Sequence, residues 1–457
     1  MKLIREKTFY KSLLAITVPI VLQNLINVGV SMLDTVMLAG LNQSALSASM
    51  LANQLYFILV VAFFGVAGGA SVLTAQYWGK KDTKAIRRIL GMSLRYAVII
   101  AALFAAAAIF APRVVMQIYT NNENLITLGA SYLRIIGFSY ILSAVTVVYL
   151  GILRSTGNVR VATAVYSLSM VVNGVFNYLL IFGAFGFPEM GIEGAALATL
   201  IARVCEIVFV SFYALAKEKQ IRFKLKYFFY RNRTLFRDFL RFSAPVILNE
   251  LAWSTGFSMQ SAVLGHMSED AVAANSIISV VSRLVTVGVF GMANASAVMI
   301  GNEVGRGREE SAKNQARTML IISLGLGIIS SGLILLIRAF MPAFAAGVQL
   351  TPAALSLLMK MMLTSALYIL FHSFNGTNII GVLRGGGDSR FGMILDAGVL
   401  WFTSLLLGPL CGFVLKIPVE WVFFVMMLDE PIKFLPGILR FRSGRWLRNV
   451  TRNDDFA

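Results

Sequence analysis

Residues 153–160 read LRSTGNVR, and residues 383–390 read LRGGGDSR. Both fit the pattern LRxxGxxR, and further correspondences precede them at a fixed offset of 226 residues: Pro19 meets Pro245, Leu22 meets Leu248, Gly65 meets Gly291 and Gly79 meets Gly305. Self-similarity over this length means that one structural unit is laid down twice. The surroundings of the two copies identify the unit. Apolar runs bounded by charge or by Gly and Pro fall at roughly 13–39, 46–76, 92–112, 126–152, 161–184, 193–215, 238–264, 272–301, 317–341, 352–382, 391–415 and 417–440. Each is long enough to cross about 30 Å of hydrocarbon, and each must be helical, because lipid offers no partner to a free backbone N–H or C=O. Six spans per half is an even number, so the two copies share one orientation and are related by an axis along the membrane normal.

Composition agrees. Of the 457 residues, 58% are hydrophobic and only 14% charged, whereas soluble domains carry about 45–50% apolar residues. The formal charge of +18 would suit nucleic acid if it lay on one folded surface, but it is dispersed over short clusters between spans, which excludes that partner. Lys80, Lys81, Lys84, Arg87 and Arg88 form one cluster, and the stretch from Lys217 to Arg241 holds another. Loops after odd-numbered spans are nearly free of basic residues, so both termini are expected on the cytoplasmic side of a bacterial inner membrane. Cys205 and Cys411 lie inside apolar segments and form neither a disulfide framework nor a CxxC site. The basic stretch Met1 to Lys11 resembles a signal peptide, but the run after it is too long, contains Asp34 and recurs in the second half.

The expectation is therefore an all-α integral membrane protein of about twelve transmembrane helices, in two parallel six-helix repeats around a central cavity. Residues 1–220 form the N-terminal lobe, 221–237 a basic cytoplasmic linker and 238–457 the C-terminal lobe. Rocking two such bundles gives alternating access.

The order of motifs resembles the multidrug and toxic compound extrusion (MATE) family over almost the whole chain. The resemblance rests on Pro19 to Gly40 (PIVLQNLINVGVSMLDTVMLAG), the two LRxxGxxR copies, Asn173 to Gly183 (NGVFNYLLIFG), Gly186 to Thr199 (GFPEMGIEGAALAT), Pro245 with Glu250, and Ser443 to Trp446. It implies export of amphipathic, often cationic compounds, driven by re-entry of Na⁺ or H⁺ as coupling ion, by a monomer that needs the bilayer, a small-molecule substrate and no other cofactor.

Polar residues within apolar spans are the candidates for that chemistry, since they are costly there unless paired or functional. Asp34 lies in the outer part of the first span, where the family pattern also places an Asp. Asn173 and Asn177 are four residues apart and so share a helix face. With the Thr199 hydroxyl they form a set of hard oxygen donors suited to Na⁺, while a single carboxylate can equally take one proton. Helix-to-helix hydrogen bonding by the two amides is the alternative. Some family members carry Asp at the position of Asn177, so the coupling ion is open.

In the second half, Glu250 faces the repeat position of Asn24 and is expected in substrate or cation recognition, or else hydrated near the cytoplasm. Gln23, Asn249 and Gln260 are grouped with it. Pro19 and Pro245 each remove a backbone donor and are hinge candidates or static kinks. Arg203 with Glu206, Asp396 by itself, and Asp429 and Glu430 with Lys433 read as structural pairs or interface residues. The family's acidic residue on span 10 is absent from Phe371-His372-Ser373-Phe374-Asn375, which argues against a three-carboxylate site in this half. Neither His266 nor His372 has a metal-spaced partner, and no nucleophile set appears, so an enzyme is not expected. A lipid-linked oligosaccharide flippase of the same broad superfamily is the closer rival; it would line its cavity with several basic residues.

Overall fold

Short polar residues start several of the helices by accepting a hydrogen bond from the backbone N–H three residues on. Asn42 accepts from Ala45 at 2.7 Å, Asp82 from Ala85 at 3.0 Å, Ser268 from Ala271 at 3.1 Å and Thr351 from Ala354 at 3.0 Å. The structure, a computed structural model, describes residues 3–347 and 350–452. No strand occurs among them. In the first half the helices are α1 (Lys7–Leu41), α2 (Gln43–Gly79), α3 (Thr83–Phe110), α4 (Pro112–Tyr119), α5 (Glu123–Ile136), α6 (Ser139–Ser155), α7 (Arg160–Phe182) and α8 (Gly191–Phe212). In the second they are α9 (Arg233–Gly265), α10 (Glu269–Gly305), α11 (Glu309–Gly347), α12 (Pro352–Gly376), α13 (Ser389–Trp401), α14 (Val419–Met426) and α15 (Asp429–Arg442).

Among the described residues, nine helices are long and apolar enough to cross a membrane, and α5 with α6 makes a tenth span bent by 54°. Two further segments lie where the remaining two of the expected twelve spans were read from the sequence, without the apolar length of the others. One is α9, whose middle carries Asn249, Glu250, Ser254, Thr255, Ser258 and Gln260 and so falls short on apolarity. The other is the pair α14 and α15, broken at Met427 and Leu428 and charged at Asp429, Glu430 and Lys433. The two spans least like lipid solvent are thus in the second half, where their polar groups must find partners.

The described residues form two compact units, one taking those up to Val21 and from Ala244 onward, the other Leu22–Ser243. The division falls inside α1 and α9, within a turn of Pro19 and Pro245. In the second-half unit, Phe9 and Leu13 of α1 are buried with Met292, Met319 and Trp446. Close approach marks both joins. A Cβ on Gly291 of α10 would lie 2.5 Å from Val21 and 3.3 Å from the Thr17 carbonyl, and one on Gly69 of α2 would lie 2.2 Å from Ser243 of α9. Thr17 and Ser243 are themselves repeat partners. These units differ from the lobes expected at 1–220 and 238–457 by the N-terminal parts of α1 and α9.

Within the first-half unit, Ala48, Ala52, Ala97, Ala101 and Ala144 are wholly buried, the small-residue contacts that let membrane helices approach closely. The basic linker docks on α3: Arg95 donates to the Tyr230 carbonyl at 3.2 Å, Arg88 stacks over the Tyr230 ring at 4.6 Å, and Arg87 donates to the Ile221 carbonyl.

Candidate ion and substrate sites

Positioning of the first site begins with close packing of α7 on α8. The run Gly191 to Thr199 opens α8 with small residues, and a Cβ on Gly194 would lie 2.4 Å from the Leu180 carbonyl of α7. This proximity lets the Asn173 amide donate to the Thr199 hydroxyl at 3.3 Å. One turn further on, the Asn177 amide donates to the Asn173 carbonyl oxygen at 3.2 Å and to the Asp34 carboxylate of α1. Asp34, Asn173, Asn177 and Thr199 therefore make one continuous hydrogen-bonded chain across three helices. Asn173 and Asn177 are buried and Asp34 is partly exposed. The Asn177 side-chain oxygen is buried with no hydrogen-bond partner, leaving an open acceptor beside a carboxylate, where a cation would be received.

In the second-half unit, Glu250 accepts from both terminal nitrogens of Arg384 at 3.2 Å. The Asn249 amide donates to Asp396 at 3.1 Å, and the Gln260 amide to the Ser404 hydroxyl at 2.9 Å. These three residues are not brought onto one another by any described hydrogen bond. Gln23 belongs to the first-half unit: its amide donates to the Val159 carbonyl at 3.1 Å and to Thr163 at 3.0 Å, and its oxygen accepts from Arg154 at 3.3 Å. Pro19 and Pro245 lie inside α1 and α9, beside the points where those helices pass from one unit to the other.

A further cluster goes beyond the structural pairs read from the sequence. The Lys433 ammonium meets Asp429 at 2.6 Å, Asp396 at 2.9 Å and Glu430 at 3.3 Å, while Glu430 also accepts from the Asn375 amide at 2.7 Å and contacts His372 Nδ1 at 2.9 Å. Lys433, Asp429 and Glu430 are all at most 3% exposed. Three carboxylates from α13 and α15 thus gather around a lysine held by the chain itself. The signal available in sequence was the spacing of Asp429, Glu430 and Lys433, which puts all three on one helix face. No group of three His, Cys, Asp or Glu residues arranged to hold a metal occurs among the described residues.

The family model described as MatE matches the chain twice, over residues 19–179 and 245–410. The Probable multidrug resistance protein NorM of Agrobacterium fabrum is 26% identical over 406 residues, covering 87% of this chain and 86% of its own. Its namesake in Thermotoga maritima is 26% identical over 440 residues, covering 95% and 93%. Among solved structures, a MOP superfamily transporter from Pyrococcus furiosus, described as having a binding pocket of reverse polarity, matches with a TM-score of 0.84 at 18% identity, covering 97% of this chain and 100% of that one. A MATE protein in its bent conformation matches with a TM-score of 0.83 at 20% identity, covering 96% of each chain. At these identities the structural likeness speaks for the fold.

Proposed function

The chain belongs to the MatE family, a family of multidrug efflux transporters in bacterial inner membranes, and from that premise we propose that it is a cation-coupled antiporter exporting small amphipathic, often cationic compounds by alternating access. The observation that carries the reading is the Asp34–Asn177–Asn173–Thr199 chain with its open Asn177 oxygen. A partly exposed carboxylate flanked by amides can exchange Na⁺ or a proton. If ion occupancy favours one arrangement of the helices over another, the difference in affinity between the two states is what lets a gradient drive the cycle. Glu250, with Asn249, Gln260 and Gln23, is assigned on this reading to recognition of cargo or cation, and Pro19 and Pro245 to the hinges. The transporter works as a monomer, with both termini in the cytoplasm.

Efflux of a fluorescent organic cation from proteoliposomes, with Na⁺ and pH gradients imposed separately, tests the reading. Export should accelerate under at least one inward ion gradient. Export indifferent to both gradients would overturn it.

A further inference from the structure

The stretch from Lys217 to Arg237 carries eight Lys or Arg residues against one acid, Glu218. All eight basic residues are exposed. The acid is withdrawn from the surface: Glu218 is buried, and its carboxylate accepts from the backbone N–H groups of Gln220 at 2.9 Å, Ile221 at 2.7 Å and Arg222 at 3.0 Å. Asp238, the next acid along the chain, is buried as well. The linker thus shows the outside a row of cations with no anion among them. Orientation in the bilayer accounts for the number of cations but not for the burial of the acid.

Packing on α3 sets the depth of this surface. A Cβ on Gly91 would lie 2.1 Å from the Tyr227 carbonyl, Arg95 donates to the Tyr230 carbonyl, and the Tyr96 ring stacks on Phe236 with 5.2 Å between centroids. After Arg95, α3 carries no further charge up to its end at Phe110, so Arg95 marks the level at which headgroups give way to hydrocarbon. Residues 227–230 are held at that level rather than out in water. Beside them Leu225 and Phe229 are 71% and 68% exposed. Leu225 lies between Lys224 and Lys226 in the chain, and Phe229 between Phe228 and Tyr230. Apolar side chains interleaved with cations at headgroup depth are the pattern of a segment lying in the interface, where the apolar groups sink to the acyl boundary and the cations meet phosphate.

We propose that residues 217–231 form an interfacial clamp on anionic phospholipid: Leu225 and Phe229 enter the bilayer, and Lys219, Arg222, Lys224 and Arg231 hold the headgroup phosphates of a lipid such as phosphatidylglycerol. The leaflet is the inner one on the orientation proposed above, whereas the depth does not depend on that orientation. Bound to α3 on one side and to lipid on the other, the linker is a fixed part of the first-half unit.

Two measurements on the full-length protein in liposomes test this. The first reads depth. A nitroxide is attached to Phe229→Cys in a chain that also carries Cys205→Ser and Cys411→Ser, and its collisions with oxygen, which partitions into lipid, are compared with those of a water-soluble nickel chelate. Oxygen collisions should dominate and nickel collisions be largely lost. A label struck by the chelate as often as free nitroxide in buffer would place the linker in water, open to a soluble partner, and overturn the proposal. The second measurement compares spin-labelled phosphatidylglycerol with spin-labelled phosphatidylcholine at the protein surface. The wild type should favour the anionic lipid by about threefold or more, since each surface cation adds its own attraction. Lys219→Gln, Arg222→Gln, Lys224→Gln and Arg231→Gln together should cut that preference by about half or more, whereas Lys219→Arg, Arg222→Lys, Lys224→Arg and Arg231→Lys together should keep it. An undiminished preference in the Gln variant overturns the proposal. Sodium chloride and inorganic phosphate at equal ionic strength should weaken the preference equally, by screening. If phosphate alone erases it, the cations form a site for a free anion and the lipid assignment is wrong.

Discussion

The two halves of this transporter solve the same problem, polar groups inside apolar helices, in opposite ways. In the first half, Asp34 is met by the Asn177 amide of α7, which is linked through Asn173 to the Thr199 hydroxyl of α8, and none of these groups carries a charge. In the second, Asp396, Asp429 and Glu430 close around the Lys433 ammonium, which is held by the protein itself. At the LRxxGxxR turns the contrast has the same sense: Arg154 faces an amide, Arg384 a carboxylate. A charge neutralised by neutral dipoles stays available to a mobile ion or ligand. One neutralised by a covalently tethered counter-ion has its partner at very high effective concentration and gives it up only by rearrangement. On the proposed function, the Asp34 chain of the first half serves exchange and the Lys433 cluster of the second retention, while Arg203 and Glu206 form a tethered pair within the first half as well.

The largest expected effect lies at the centre of the exchanging half. Asp34→Asn preserves shape and still offers an oxygen to the Asn177 amide, so the fold should persist while the charge that a cation answers to is gone. Gradient-driven dye export should fall to the level of empty liposomes at equal reconstituted protein. Export at the wild-type rate would break the comparison at its root.

In the retaining half the corresponding deletion acts on stability. Lys433→Met leaves three carboxylates facing one another in a buried cluster, and removal of one partner from a buried ion pair costs about 3–5 kcal/mol. Thermal unfolding in detergent should move well below that of the wild type. Asp429→Asn placed in the same chain should recover part of the loss, because it removes one of the stranded charges. A melting temperature unchanged in Lys433→Met would mean that the cluster does not hold the helices together.

How much of this was legible in the sequence follows the same divide. Span lengths, the repeat and the donor set Asp34, Asn173, Asn177 and Thr199 are written in local pattern, since apolar length and a four-residue helical spacing need no tertiary knowledge. The exchange of helix ends between units is not. Only Pro19 and Pro245 mark it, and a proline inside a helix looks the same whether it bends a span in place or sends its end to another bundle. Lys433 was readable as a partner of Asp429 and Glu430 on its own helix, but Asp396 reaches it from α13 and His372 reaches Glu430 from α12, and nothing in their own neighbourhoods announces that. Arg154 was hidden by its motif: an arginine in a cytoplasmic turn reads as a topology signal, and only comparison with Arg384 shows which of the two lacks a counter-ion.

Smaller effects should separate the two turns themselves. Gly157 and Gly387 both sit in left-handed backbone, at φ of 86° and 94°, where a Cβ costs about 1–2 kcal/mol. Around Gly157 that Cβ would meet nothing within 4 Å, whereas at Gly387 it would lie 2.6 Å from the Arg448 carbonyl and 2.9 Å from Val450. Gly387→Ala should therefore lower the melting temperature more than Gly157→Ala, because it also dislodges the segment after Trp446. Equal losses at the two sites would show that this segment contributes nothing to holding the second turn.

The smallest change asks whether retention at Arg384 can be converted into exchange. Glu250→Gln turns the Arg384–Glu250 pair into the arginine–amide arrangement that Arg154 and Gln23 already have. The Glu250 side chain is 30% exposed and that of Arg384 12%, so water compensates much of the lost attraction and the stability change should stay within about 1 kcal/mol. Function is the sharper readout. If Glu250 contributes to recognition of cationic cargo, export of an organic cation should fall by about fivefold, equivalent to about 1 kcal/mol, while the melting temperature scarcely moves. A variant that exports the cation at the wild-type rate would restrict Glu250 to its ion pair. The second half would then neutralise its own charges throughout, and recognition would belong to the first half alone.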